Sequence, residues 1–350
     1  MPCYYPLKGY VLGKDLVTGK KHIKVVSALD EGYPGFPCIP IPCGNCIGCR
    51  LDYAYTWANR CMLELQYHDE ACFITLTYDD LHIPRVVKDG VMYYTLCKRD
   101  FQLFMKRLRR FFPEKKIRFF AAGEYGDETF RPHYHAILFG VSFPDLVSIG
   151  LSKTLNPMYK SSILTELWSM APRSTVSDEK ESPAGFCTVQ DVTFDTCSYV
   201  ARYVTKKLKG YKSEFYETRG IDPPFSLMSR RPGIGRQYLD DHPELWDSDY
   251  IHCSTVDGGI KFRPMKYFKR VRSEQDPIVA EEASAVSAAI SEENIRTVEL
   301  FSSLSYDEYL DRLARIKANK VKSLVRSEKS YISDSHARDL DRLGFSKFKR

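Results

Sequence analysis

The chain has 350 residues, 43% of them apolar, with 23 Tyr, 20 Phe and a net charge of +6. That length and apolar content suit one large or two smaller packed domains. No apolar run is long enough to span a bilayer, and no repeat of solenoid length recurs. The 11 cysteines are an odd number, and the N-terminus "MPCYYPLKGY" lacks the hydrophobic core of a signal peptide. These features describe a soluble protein of a reducing compartment, whose cysteines stay free or bind metal.

Residues 1–42 are rich in Pro and Gly and read as irregular. A helix is predicted from Ile47 to Tyr67, with Leu51, Ala54, Ala58, Cys61, Met62 and Leu65 as its apolar stripe. "CFITLTYDD" is β-branched and aromatic, and reads as a strand ending at Asp79-Asp80. "RDFQLFMKRLRRFF" is a basic amphipathic helix stopped by Pro113, with Phe101, Phe104, Met105, Leu108 and Phe111 or Phe112 toward the core. "KIRFFAAGEYG" and "HYHAILFG" are strands of a hairpin. Residues 141–185 read as an insert with a helix near Ser161–Met170 and a polar loop. "FCTVQDVT" is a further strand, and "TCSYVARYVTKKLKG" a helix stopped by Gly210. Residues 273–308 are acidic and Ala/Ser-rich, and 312–350 are Lys/Arg-rich; both predict helices, loosely packed or partly disordered. The order of elements indicates an α+β fold, a central, mainly antiparallel sheet flanked by helices on one face. The domain reading is a Cys-rich N-terminal segment at 1–50, an α+β domain at 51–272 with insert 141–185, and a charged helical tail at 273–350.

In "RPHYHAILFG" the two histidines precede an apolar run that reads as a strand. Side chains alternate along a strand, so His133 and His135 share a face and Tyr134 points the other way. Two imidazoles side by side suit a metal ion. Glu124, at the end of the preceding strand, reaches them if the strands pair through "GDETFRP". Two His and one carboxylate leave positions open for water and substrate, and such mixed ligands suit Mn²⁺ or Mg²⁺. A metal beside nucleic acid stabilises the charge that builds on a phosphate, and the reaction then needs a nucleophile. Tyr199 and Tyr203 lie one turn apart on a helix, with Lys206 and Lys207 flanking their face. A phenol with its usual pKa of about 10 is a weak nucleophile at neutral pH, and a nearby ammonium favours the phenolate.

The order of these motifs, "FITLTYDD", "GEYG" with "RPHYHAILFG", and "YVARYVTKK", together with "PCGNCIGCR" and "SRRPGIG", resembles the HUH endonuclease superfamily. Within it, the resemblance is to the two-tyrosine replication initiators of microviruses of the gokushovirus type, over roughly residues 38–240. That resemblance implies a metal-dependent DNA nickase and strand-transfer enzyme of rolling-circle replication. Glu124, His133 and His135 would hold the metal, and Tyr203 or Tyr199 would form a 5′-phosphotyrosine and free a 3′-OH. The second tyrosine would cut the regenerated origin so that the strand closes into a circle. The YxxK context of Tyr203 favours it as first nucleophile, with Lys206 stabilising the phosphate or steering the phenolate. The implied partners are single-stranded DNA, the phage replicative-form origin, and a host helicase and DNA polymerase, in the cytoplasm of the bacterial host. No Walker A motif is present, so helicase activity falls to the host. Two other classes compete: a catalytically inactive, zinc-stabilised DNA-binding regulator, and an HUH transposase or relaxase.

"CIPIPCGNCIGC" carries Cys38, Cys43, Cys46 and Cys49. Cys43, Cys46 and Cys49 supply three thiolates for a structural Zn²⁺, and the fourth is Cys3 or Cys38. Cys3 would tether the N-terminus, whereas Pro40 and Pro42 place Cys38 poorly. An iron–sulfur cluster or a set of buried thiols are the alternatives. Cys61, Cys72, Cys97, Cys187, Cys197 and Cys253 read as core filling. Two basic stretches, one with Lys106, Arg107, Arg109 and Arg110 and one with Lys207 and Lys209, would bracket the metal site as a phosphate-tracking groove. Tyr125 and Tyr134 are candidates to stack on unpaired bases. "RRPGIG" could bring its backbone to a phosphate or form a plain turn.

Overall fold

The computed structural model describes residues 3–15, 21–26, 32–126, 129–152, 155–173, 180–204, 214–246, 250–255, 258–262 and 264–324. The chain divides into two compact units, one of Met1–Tyr53 with Arg270–Ser330 and one built on Ala54–Lys269. The first unit opens with β1 (Leu7–Lys14), β2 (Lys21–Val26) and β3 (Cys38–Ile41), an antiparallel sheet of order β2-β1-β3. Among its described residues, the segment that reads as irregular is thus largely sheet. α1 (Ile47–Leu65) follows and continues into the second unit.

The second unit carries β4 (Ala71–Thr77), the hairpin β5 (Arg85–Lys88) and β6 (Val91–Tyr94), α2 (Lys98–Phe111), β7 (Arg118–Tyr125) and β8 (Pro132–Phe139). The insert supplies β9 (Val147–Leu151), β10 (Pro157–Lys160), α3 (Ser162–Leu167) and the short pair β11 (Ser169–Met170) and β12 (Ser182–Pro183). Then come β13 (Cys187–Gln190), α4 (Phe194–Val204), α5 (Glu214–Glu217) and β14 (Phe225–Met228). α6 (Arg236–Asp241) and the hairpin β15 (Ile251–Thr255) and β16 (Gly258–Phe262) complete it, and α7 (Lys266–Gln275) begins in it and ends in the first unit. The chain ends in α8 (Pro277–Ser302) and α9 (Tyr306–Leu324), in the first unit, where Leu310 and Ala314 of α9 bury Tyr4 in a small core. No helix among the described residues is long and apolar enough to cross a membrane.

The central sheet has seven strands in the order β14-β7-β8-β4-β13-β10-β9, and every pairing is antiparallel. β4, the "FITLT" strand, is the middle one. Register fixes which residues share a face. Thr75 lies opposite His135, Thr77 opposite His133, and Glu124 opposite His133, so all five project to one side. Cys72, Ile74, Leu76, Tyr134 and Leu138 project to the other, where Phe101, Phe104, Met105 and Leu108 of α2 cover them. Phe112 packs against this core, whereas Phe111 is exposed. Each large apolar side chain buried here contributes about 1.5–3 kcal/mol.

The sequence order suggests helices on one face, but both faces are covered. On the histidine side, Trp57 of α1 stacks on Phe120 with ring centroids 4.7 Å apart, and Tyr199 of α4 packs edge-on against Phe73. The reason lies in the strands. Phe73, Phe120, Ile137 and Phe139 make the histidine side apolar too, and all four are buried. A sheet that is apolar on both sides needs two layers of cover.

Two expectations about aromatics fail for the same reason. Tyr134 is 1% exposed and Tyr125 is 5% exposed, so neither reaches a nucleobase. Tyr134 donates to Cys97 O (2.8 Å) and bonds Tyr78 (2.9 Å), which donates to Asp100 (2.5 Å). Arg173 of the insert neutralises Asp100 at 2.7 Å. Tyr125 donates to Asp222 O at 2.6 Å. These phenols satisfy a buried polar network of the core.

"RRPGIG" is a structural turn. Residues 57–64 of α1 are buried on all sides, including Arg60 and Glu64, and the turn supplies their partners. Arg60 donates to Ile234 O (2.9 Å), and Glu64 accepts from Gly235 N (2.7 Å). Arg60 also lies between the rings of Trp57 and Tyr267, 4.2 and 3.8 Å from their centroids. Gly235 has φ +72°, and a Cβ there would stand 3.1 Å from Arg60 O, so this backbone is committed to the helix.

Candidate metal and tyrosine site

Glu124, His133 and His135 converge at the end of the β7–β8 hairpin. Their ligand atoms lie within 4.8 Å of one another. Glu124 Oε1 is 2.7 Å from His133 Nε2 and 3.4 Å from His135 Nε2. Nδ1 of His133 lies 3.1 Å from Arg131 O. A carbonyl only accepts, so Nδ1 donates to Arg131 O and Nε2 is left turned toward the carboxylate. Nδ1 of His135 lies 3.0 Å from Thr75 Oγ1. Each imidazole is thus held through one nitrogen and turned toward Glu124 with the other, the arrangement of a metal-ligating histidine. Glu124 is 1% exposed and His135 is 4% exposed. A carboxylate and two imidazoles with converging Nε2 atoms can hold a divalent ion.

Tyr199 of α4 stands over this group. Its ring centroid is 5.2 Å from that of His135 and 6.1 Å from that of Phe73. Phe73 in turn stacks on His135 at 5.8 Å, with planes 10° apart. Phe73 is the residue that sequence reasoning missed as part of the site. The signal was the alternation Phe73, Thr75, Thr77, which puts all three on the face of the histidines. Tyr203 follows one turn later in α4, but its side chain lies outside the described residues, as do Lys206, Lys207 and Lys209.

The basic residues of α2 do not face this site. Lys106 and Arg110 are exposed, Arg107 pairs with Glu181 at 3.1 Å, and Arg109 donates to Ile117 O at 3.3 Å. All four belong to the helix that covers the Tyr134 side, so the sheet stands between them and the histidines.

A second group lies in the first unit. The sulfurs of Cys3, Cys43, Cys46 and Cys49 are within 4.8 Å of one another. Backbone N–H groups point at them: Cys43 N to Cys3 Sγ and Cys46 N to Cys43 Sγ at 3.3 Å, Cys49 N and Tyr4 N to Cys46 Sγ at 3.4 Å. Burial opposes the charge on Cys46, yet the N–H donors of Cys49 and Tyr4, with the thiols of Cys49 and Cys43, outweigh it and bring its thiol down to about 7. Burial holds the Cys3 and Cys49 thiols above their ordinary value. Four converging sulfurs can hold a metal ion. Cys38 is exposed and sits opposite Tyr10 in the β1–β3 pair. Of the other cysteines, Cys61, Cys72, Cys187, Cys197 and Cys253 are buried, and Cys97 is half-buried ahead of α2.

Known proteins give this sheet, the carboxylate–histidine group and the tyrosine above it their context. The profile of the family described as replication-associated protein ORF2/G2P matches residues 71–208. The replication-associated protein ORF2 of Spiroplasma virus 4 is 29% identical over 339 residues, covering 94% of this chain and 99% of its own. The replication-associated protein VP4 of Bdellovibrio phage phiMH2K is 30% identical over 260 residues, covering 72% and 71%. The replication-associated protein ORF4 of Chlamydia phage 1 is 32% identical over 197 residues, covering 53% and 44%. No solved structure matches the chain. The chain belongs to the microvirus replication-associated proteins and is a replication initiator.

Proposed function

We propose that this initiator nicks and rejoins single-stranded DNA through a tyrosine of α4, with the chemistry of an HUH endonuclease in rolling-circle replication. The observation that carries the reading is the ring of Tyr199 at 5.2 Å from His135, beside the convergent Glu124, His133 and His135. Phe73 and His135 wall the Tyr199 ring. Thr75 fixes the His135 imidazole from behind. Oη of Tyr203 or Tyr199 attacks phosphorus and gives up its proton, the 3′ oxygen leaves as a hydroxyl, and the 5′ phosphate stays on the tyrosine. The phosphodiester energy is kept in the adduct, so the reverse attack by a 3′-OH reseals the strand without a nucleotide cofactor. Glu124, His133 and His135 would hold a Mg²⁺ or Mn²⁺ ion, which would supply Lewis-acid stabilisation of the charge on the phosphate oxygens. The YxxK context of Tyr203 favours it for the first cleavage, and the other tyrosine, one turn away, takes the second.

On this reading the substrate is the phage origin presented as single strand, and the freed 3′-OH primes a host polymerase with unwinding by a host helicase, in the host cytoplasm. Lys106 and Arg110, on the far side of the sheet, hold the DNA outside the site rather than at the scissile phosphate. Cys3, Cys43, Cys46 and Cys49 hold a structural Zn²⁺ that ties the N-terminus to the start of α1. The test is conversion of a circular single-stranded phage genome to the linear form with Mn²⁺. Wild type converts it, and Glu124→Ala and His133→Ala do not. Cleavage that persists in both variants rules the site out.

A further inference from the structure

We propose that Phe186 is a stacking platform for the nucleobase beside the scissile phosphate, an assignment that rests on the nicking reading. One row crosses the sheet on the histidine side. Glu124 lies opposite His133, and His133 opposite Thr77. Leu76 lies opposite Cys187, so Phe186 falls next to Thr77. Thr77 confirms this register, because its N and its Oγ1 both donate to Phe186 O, at 3.1 and 2.7 Å. Cys187 points into the core beside Leu76, and alternation therefore turns Phe186 to the side of the histidines. Two strand spacings separate Phe186 from His133, about 10 Å between backbones.

The ring is 60% exposed although its neighbours Ala184 and Cys187 are buried. Its backbone is held firmly. Asp79 N donates to Ala184 O at 2.7 Å. Gly185 lies so close to β4 that a Cβ there would stand 2.6 Å from Thr77 O. Ahead of it, His82 is pinned between Asp79 (2.7 Å) and Ser182 (3.0 Å). An exposed aromatic side chain thus stands on a firmly held backbone at the rim of the proposed site. Single-stranded DNA entering that site brings unpaired bases, whose faces stack on aromatic rings regardless of sequence. Tyr125 and Tyr134, buried in the core, cannot serve; Phe186 occupies the position they lack.

The experiment is fluorescence anisotropy with labelled oligothymidylate and with an abasic deoxyribose-phosphate chain of equal length. Phe186→Ala should bind oligothymidylate about tenfold more weakly than wild type and the abasic chain equally well. Phe186→Trp should restore binding, and its fluorescence should be quenched by oligothymidylate. Equal binding of oligothymidylate by wild type and Phe186→Ala overturns the platform. A tyrosine adduct formed by the same wild-type preparation on single-stranded DNA would then leave the nicking reading standing. Failure of wild type to bind oligothymidylate overturns both.

Discussion

Thr75 Oγ1 lies 3.0 Å from Nδ1 of His135, across the central strand pair β4–β8. The hydroxyl touches no ligand position, yet it sets the rotation of an imidazole whose Nε2 lies 3.4 Å from Glu124. Partners of this kind typically change metal affinity 10–100-fold when removed. Thr75→Val keeps the shape and deletes the hydrogen bond. It is expected to weaken Mn²⁺ binding by about 10–100-fold, measured by isothermal titration, with the far-ultraviolet spectrum unchanged. Wild-type affinity in Thr75→Val would mean that His135 is oriented by packing against Phe73 alone.

The buried charge of α1 makes stability depend on pH. Burial opposes ionisation of Glu64, but His68, Gly235 N and Arg118 bind the carboxylate and together hold its pKa below the ordinary value. A lowered carboxyl pKa stabilises the fold above the unfolded value of about 4.3. That contribution is lost as pH falls through the lower, folded value. Glu64→Gln leaves Arg118 without its anion and should cost about 3–5 kcal/mol at neutral pH. Urea midpoints at pH 7, 5 and 3 should converge for the two proteins at the acid end. Parallel midpoints across that range would show that Glu64 stays charged in neither state or in both.

Cys3 and Cys38 are separated by one substitution each. Zinc released on denaturation is expected in equal amount from Cys38→Ser and wild type, and in reduced amount from Cys3→Ser, read with a pyridylazo dye. The Cys46 thiol, at about 7 before metal binds, is an acid with a lowered pKa. Its thiolate is present above that value and disappears as pH falls through it, so acidification from pH 7 to 5 should speed zinc loss to the dye. Retention of full zinc by Cys3→Ser would remove the N-terminus from the centre.

Much of the site was legible because its chemistry sits in short, periodic stretches. Alternation alone put His133 and His135 on one face, and a β-hairpin between two apolar runs brought Glu124 to them. Helical spacing put the apolar residues of α2 on one side. What was not legible depends on distant partners. Arg60 and Glu64 look like the polar side of an amphipathic α1, and distant partners, the turn at 232–235 together with Arg118 and Tyr267, make them buryable. The apolar runs of β7 and β8 do signal cover on both faces, but not which helices provide it. The hairpin β5–β6 had a readable turn, Asp89-Gly90, both with positive φ, in a stretch whose alternation is too weak to attract notice. β9 and β10 join the sheet from the insert through pairings that no local pattern encodes. The basic run of α2 was visible as charge, whereas its place behind the sheet follows from Tyr134 pointing away from the histidines.

The covalent intermediate is the most direct test. Wild-type protein is mixed with circular single-stranded phage DNA and Mn²⁺, the DNA is digested, and the peptides of α4 are examined by mass spectrometry. A nucleotide on Tyr203 or Tyr199 that is absent with EDTA, and absent from Tyr203→Phe or Tyr199→Phe respectively, is the expected result. Intact binding of that DNA with no adduct on any tyrosine of α4 would contradict it, and would leave Glu124, His133 and His135 as a structural cluster in a DNA-binding protein.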